Sequence, residues 1–333
     1  MTETFQKFGV IGGGAWGTAL AQALTLAGRD VVLWTFEKDC ADAINTKHEN
    51  TIYLPSVKLS SALKATSDFS DLKDVDAVLA VPPAQHMRQT LAGFAPFAKQ
   101  DLPIILCSKG IEHSSLKFMA GVLADVIPHA RIGVLSGPSF AIDVANGLPT
   151  AVTLAMEDQK LGEQLASAIA SPGFRPYLSD DILGAEIGGA VKNVLAIACG
   201  MVLGKQLGKS AHAAIIARGF AEMTRLGEAL GAKPETLTGL CGLGDLVLTC
   251  SSEQSRNMSC GLALGRGESL EDIMSSRSAV TEGVATAPVL QRLCKQANVE
   301  MPICAAVAAI LDKTISVDDA IAGLLGRQRK QEN

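Results

Sequence analysis

The sequence predicts a doubly wound α/β domain followed by an all-helical domain, and three observations carry that prediction. From Phe8 to about Ser179, short β-branched runs alternate with helical stretches, the pattern of a parallel sheet covered by crossover helices. Between the first such run and the first helical stretch lies a glycine-rich turn, Gly12 to Gly17. After Asp180, long stretches of Ala, Leu and Gly at helical periodicity replace the β-branched runs.

Taken in order, the expected strands are Phe8–Ile11, Val31–Trp34, Ala77–Val81, Ile104–Cys107, Ile132–Leu135, Ala151–Leu154 and Arg175–Leu178, with helices filling most of the intervals. No Pro/Ser-rich linker follows. The change of texture therefore falls within one long helix that begins near Asp181 and continues past Lys192, up to a charged tail, Arg327–Asn333. Two domains result, residues 1–180 for a dinucleotide and residues 181–333 for substrate and catalysis. A chain of 333 residues is long enough for both, since single cores stop growing near ~250–300 residues. A cleft between two such domains is a favoured ligand site.

Composition narrows the function classes. With 48% hydrophobic and 19% charged residues, the chain has ample material for a core and is too apolar for disorder. A net charge of −5 argues against a general nucleic-acid or acidic-membrane surface. No uninterrupted apolar run reaches the ~18 residues of a spanning helix. The start, MTETFQKFGV, lacks a basic region followed by a hydrophobic stretch, so a cytoplasmic protein is expected. Eight cysteines without a Cys-x-x-Cys pair read as reduced core thiols, and five histidines without zinc-ligand spacing predict no metal.

The sharpest local signal is GVIGGGAWGTALAQALTLAG, Gly9 to Gly28. Gly12, Gly14 and Gly17 fit G-x-G-x-x-G after a strand and before a helix that Gly28 can end. In that setting Gly12 permits a tight turn, Gly14 lets the backbone approach a pyrophosphate, and Gly17 lets helix and strand pack closely. The helix N-terminus offers unpaired N–H groups and a positive dipole end to the anion. At the end of the second strand, VVLWTFEKD carries Phe36 and Glu37 and no arginine, which favours NAD over NADP; Lys38 leaves NADP open. Phe36 can pack on adenine, while Trp34 fits the core equally well. Val81-Pro82-Pro83 and Ser108-Lys109-Gly110 should both open at the carboxyl edge of the sheet, where Lys109 can reach a ligand or simply lie in solvent.

In EIGGAVKNVLAIACG, Glu186 to Gly200, the polar pair Lys192 and Asn193 interrupts small apolar residues. A buried ammonium loses hydration, which brings a lysine toward the ~7–8 suited to general base work. The competing reading is a solvated stripe with Asn193 capping a neighbouring backbone. Further on, Gly242 and Gly244 bring Asp245 into a close turn, and Ser255-Arg256-Asn257 offers a hydroxyl, a guanidinium fork and an amide. That set suits a terminal phosphate, or else an ordinary serine-capped helix with a surface arginine.

These motifs together resemble the NAD(P)-dependent glycerol-3-phosphate dehydrogenase family. The resemblance rests on GGGAWGTALA, CSKGIE, LSGPSFA, GGAVKN, GLGDLVLTC, SRN and TEGV, spread over most of the chain in the family's order. It implies a Rossmann domain followed by a helical domain like that of 6-phosphogluconate dehydrogenase, a homodimer, and interconversion of sn-glycerol 3-phosphate and dihydroxyacetone phosphate for phospholipid synthesis. By matching motifs, Lys192 is the proton acceptor, Lys109 contacts substrate and nicotinamide, and Asp245 belongs to the catalytic set. Gly137, Ser139, Asn193, Asp245, Ser255, Arg256 and Asn257 line the substrate; Ala15, Trp16, Phe36, Ala141, Arg256 and Glu282 join the glycines around the dinucleotide. Many bacterial members carry a basic residue where Phe36 stands. A β-hydroxyacid dehydrogenase of the same architecture and a non-catalytic dinucleotide sensor are the competing functions.

Overall fold

The structure, a computed structural model, describes residues 5–276 and 280–328. The first four residues and most of the Arg327–Asn333 tail lie outside the described residues. Eight strands form one sheet: β1 (Lys7–Ile11), β2 (Asp30–Trp34), β3 (Lys64–Thr66), β4 (Ala77–Ala80), β5 (Pro103–Leu106), β6 (Arg131–Ser136), β7 (Thr150–Ala155) and β8 (Phe174–Ser179). Their spatial order is β3-β2-β1-β4-β5-β6-β7-β8. The chain reverses its winding direction between β1 and β4, the place where open α/β sheets bind ligands.

Two features depart from the expectation of seven parallel strands. β3 is additional, pairing through Val32–Lys64 to Trp34–Thr66, and three residues are too few to show a period of two. β7 runs antiparallel to β6, with Leu135 opposite Leu154. Buried strands of either direction read as the same apolar run, so the sequence carries no direction.

Helices α1 (Ala15–Leu26), α2 (Lys38–Lys47), α3 (Met87–Phe94), α4 (Met119–Val126), α5 (Ala141–Ala145) and α6 (Gln159–Ile169) accompany the sheet. The helical half comprises α7 (Ile182–Gly204), α8 (Gly208–Leu230), α9 (Pro234–Thr238), α10 (Asp245–Ser251), α11 (Arg256–Gly265), α12 (Leu270–Ser275), α13 (Glu282–Ala297), α14 (Pro302–Leu311) and α15 (Val317–Leu325). Its axis is α7. The Asp181 carboxylate caps it by accepting from Gly184 N at 2.8 Å, which is why the helix starts where the sequence placed it.

By length and mean hydropathy, 1.7, α7 would qualify as a membrane span, but 89% of that window is buried inside the protein. An apolar surface all round a helix demands cover on every side, and α8, α10, α11, α13 and α14 supply it. The crossing with α11 is close because GMVLG (Gly200–Gly204) meets GLALG (Gly261–Gly265). A Cβ on Gly200 would sit 2.1 Å from Met258 O, and one on Gly261 would sit 2.0 Å from Ile197 O. Side chains are excluded there, so the two backbones run in contact and set Asn193 beside Asn257.

All eight cysteines are buried and unbridged. This matches the reading of reduced core thiols, and two of them, Cys199 and Cys250, interact within the helical core.

Candidate active site

The glycine turn is built as its spacing implies. Gly12 holds φ +118°, and its N–H donates to Trp34 O at 2.9 Å, tying the turn to β2. A Cβ on Gly17 would fall 1.9 Å from Gly12 O, so only glycine lets α1 approach the turn. At Gly14 the situation is reversed: an added Cβ would meet nothing within 4 Å. The first intrahelical bond runs from Thr18 N to Gly14 O, leaving the N–H groups of Ala15, Trp16 and Gly17 as orphan donors of the helix end. The Trp16 indole N–H is buried without a partner among the described residues. Open space before orphan donors fits a dinucleotide pyrophosphate. α5, which begins at Ala141, packs against α1.

At the tip of β2 the two aromatics part company. Trp34 is a core residue, stacked on Phe69 with centroids 4.1 Å apart, whereas Phe36 is 82% exposed beside the turn and free to cover a flat ring.

A buried charge cluster joins Lys109, Lys192 and Asp245. Asp245 is only 1% exposed and receives two ammonium groups, Lys192 Nζ at 2.9 Å from Oδ1 and Lys109 Nζ at 2.5 Å from Oδ2. Lys109 Nζ also donates to Gly137 O at 3.1 Å. Thr249 closes the cluster, accepting from Lys192 Nζ at 2.7 Å and donating to Asp245 Oδ1 at 3.0 Å. The π-helical turn Leu240–Gly244 aims Asp245 inward at the start of α10, and Thr249 follows one helical turn later.

Burial pushes the Lys192 ammonium down to about 8; nearby Asp245 opposes that shift and Lys109 adds to it. Burial alone would raise the Asp245 carboxyl, but the Lys109 and Lys192 charges outweigh it and hold the group below its ordinary value. An ionised carboxylate thus holds an amine poised to exchange a proton near neutral pH. The solvated-stripe reading of Lys192 does not survive, because the residue is 8% exposed.

Asn193 and the Ser-Arg-Asn motif are brought together, though not all facing one space. Asn193 Nδ2 donates to Lys109 O at 3.3 Å, and its Oδ1 accepts from Asn257 Nδ2 at 2.9 Å. Asn257 Oδ1 accepts from Gly283 N at 2.8 Å, which ties in the start of α13. Ser255 is a buried helix cap whose hydroxyl accepts from Met258 N at 3.2 Å. Arg256, between them, is exposed and stays within electrostatic reach of Glu282.

Glu282 in turn accepts from Ala84 N at 3.1 Å, just beyond Val81-Pro82-Pro83. Burial raises its carboxyl, and Arg256 partly offsets that rise. Through Glu282, the start of α13 thus links Arg256 to the loop after β4, where the Val81 backbone lies against Gly12 of the glycine turn. Beside Lys109 Nζ, Gly137, at φ +151°, lies next to Ser139, whose hydroxyl donates to Gly137 O at 3.0 Å.

The sequence reading overlooked Thr249, Asn50 and Glu186. Thr249 stands four residues after Asp245 on one helix face and was open to detection by spacing. Asn50, fully buried, donates to Gly13 O at 2.8 Å from a loop with no local signal. Glu186 accepts from Ala120 N at 2.8 Å near the start of α4, a long-range contact; burial pushes its carboxyl up to about 8.

What the fold and the site define together is a two-domain oxidoreductase that works with a nicotinamide dinucleotide. Residues 7–162 match the family described as NAD-dependent glycerol-3-phosphate dehydrogenase N-terminus, and residues 181–322 match its C-terminus. The chain belongs to the NAD-dependent glycerol-3-phosphate dehydrogenase family. Among its relatives, proteins named glycerol-3-phosphate dehydrogenase [NAD(P)+] from Maricaulis maris and Hyphomonas neptunium are 67% and 61% identical. The first alignment covers 97% of both chains, the second 100% of this chain and 99% of the other. The crystal structure of glycerol-3-phosphate dehydrogenase from Coxiella burnetii superposes with a TM-score of 0.93 at 37% identity, over 97% of this chain and 99% of that one.

Proposed function

We propose that this protein interconverts sn-glycerol 3-phosphate and dihydroxyacetone phosphate with NAD, favoured over NADP. Residues 1–180 serve the dinucleotide, residues 181–333 the substrate. The observation that carries the reading is the buried Lys192–Asp245–Lys109 cluster, in which two ammonium groups meet one carboxylate. When bound, the dinucleotide takes or gives the hydride.

Lys192 Nζ accepts the hydroxyl proton during oxidation and returns it to the oxygen during reduction. Asp245 keeps that amine aimed and Lys109 stabilises charge on the same oxygen. Arg256 grips the phosphate through its fork, with Ser255 and Asn257 supporting the helix start and Asn193, Gly137 and Ser139 bordering the substrate. Gly12, Gly14, Ala15, Trp16, Gly17, Phe36, Ala141 and Glu282 surround the dinucleotide.

A carboxylate-specific reductase has no use for this phosphate grip, and a sensor has none for a proton acceptor. The product suits phospholipid synthesis in the cytoplasm by a homodimer without nucleic-acid or membrane partners. Mixing purified protein with dihydroxyacetone phosphate and either NADH or NADPH, and following the absorbance of the reduced nicotinamide, tests reaction and cofactor together. No consumption of either cofactor would refute the proposal.

A further inference from the structure

A run of hydrogen bonds beside the glycine turn fixes one carboxylate at the mouth of the dinucleotide site. Asn50, fully buried, donates from Nδ2 to Gly13 O and to Thr18 Oγ1, both at 2.8 Å. Its Oδ1 accepts from Tyr53 N at 3.0 Å, which folds the loop back over the turn. From that loop the Tyr53 hydroxyl donates to Glu37 Oε1 at 2.8 Å. On the other side the Thr35 hydroxyl donates to the Glu37 carbonyl at 2.8 Å. Glu37 stands three residues beyond β2, half-buried, and Oε2 takes no hydrogen-bond partner among the described residues.

A carboxylate at the end of the second strand of such a sheet accepts hydrogen bonds from the hydroxyls of the adenosine ribose, and its charge opposes a phosphate on the 2′ oxygen. One that is already held gives up less freedom when it binds. We infer that Glu37, aimed by Tyr53, is the residue that discriminates NAD(H) from NADP(H), with Tyr53 acting as its positioning residue. The inference rests on the reading that the glycine turn holds a nicotinamide dinucleotide.

The test titrates the purified full chain with NADH and with NADPH in the absence of substrate, reading nicotinamide fluorescence. The native protein should bind NADH at least about ten times more tightly. Glu37→Gln should tighten NADPH by about tenfold and leave NADH within about threefold, so the preference collapses. Tyr53→Phe should weaken NADH by about three- to tenfold, leave NADPH within about twofold, and leave kcat at saturating NADH unchanged. The double variant should match Glu37→Gln alone, because the tyrosine acts through the carboxylate.

Native binding that favours NADPH, or a Glu37→Gln ratio within about twofold of native, overturns the inference. Equal loss of both affinities in Tyr53→Phe together with a lowered Tm marks Tyr53 as merely structural and overturns its part. These titrations need no turnover, so failure of the proposed reaction would show separately.

Discussion

The Lys192 ammonium lies 2.9 Å from the Asp245 carboxylate in the interior, and neither group is more than one-tenth exposed. Taking two charges out of water is costly unless each finds partners, and here the partners are Thr249 and the second ammonium of Lys109. The cluster thus sets two ammonium groups against one carboxylate.

Lys192→Ala should fold and bind dinucleotide yet lose about 10²–10⁴-fold or more in kcat, the range for a removed general acid–base group. Steady-state kinetics with a parallel fluorescence titration of NADH checks this. Full activity would take Lys192 out of the mechanism.

In the proposed mechanism oxidation uses Lys192 as the amine and reduction uses it as the ammonium. Because burial places its pKa at about 8, kcat/KM for oxidation should rise with pH through about 8, and kcat/KM for reduction should fall above it. The unfolded lysine keeps its ordinary 10.5. Between about 8 and 10.5 the unfolded chain therefore holds more protons, and this group's contribution to stability improves as pH rises across that window. Below it the burial penalty is fully present. Comparing urea midpoints of the native chain and Lys192→Met over the same range isolates the effect.

Asp245→Asn removes the anion that raises the Lys192 pKa, so both pH limbs should move to lower pH while kcat drops. The two ammonium groups would be left against a neutral amide, at a cost of about 3–5 kcal/mol in folding stability. An unshifted pH profile would show that Asp245 does not govern Lys192.

Arg256→Ala should raise KM for dihydroxyacetone phosphate by the equivalent of roughly 2–4 kcal/mol, about 30- to 1000-fold. Arg256→Lys should recover part of this, since it keeps the charge and loses the fork. An unchanged KM would refute the phosphate role.

Two glycine substitutions should separate folding from binding. Gly17→Ala drives a methyl into Gly12 O and should lower Tm sharply. Gly14→Ala meets open space at φ −66° and should leave Tm nearly unchanged while weakening NADH. Equal effects of the two on stability and affinity would contradict the geometry described for the turn.

Much of this was legible in the sequence because periodicity records which face of an element is buried. The seven longer strands, the capped start of α7 at Asp181 and the strand-turn-helix setting of Gly12 to Gly17 all follow from local pattern. Lys192 stood out for the same reason, as a charge among small apolar residues. Periodicity does not record what covers a buried face. The antiparallel course of β7 and the three-residue β3 were therefore invisible, as was the cover that makes α7 a core helix.

The sequence by itself determined the seven longer strands, the glycine turn and the identity of the polar residues. The tertiary structure alone decided that Lys109 and Asp245, 136 residues apart, meet on one carboxylate with Lys192. It also decided that Asn193 faces Asn257, through two helices brought close by glycines. A charge in a chain has no partner until folding excludes water from around it, and both its pKa and its chemistry are set by whichever groups are then nearest.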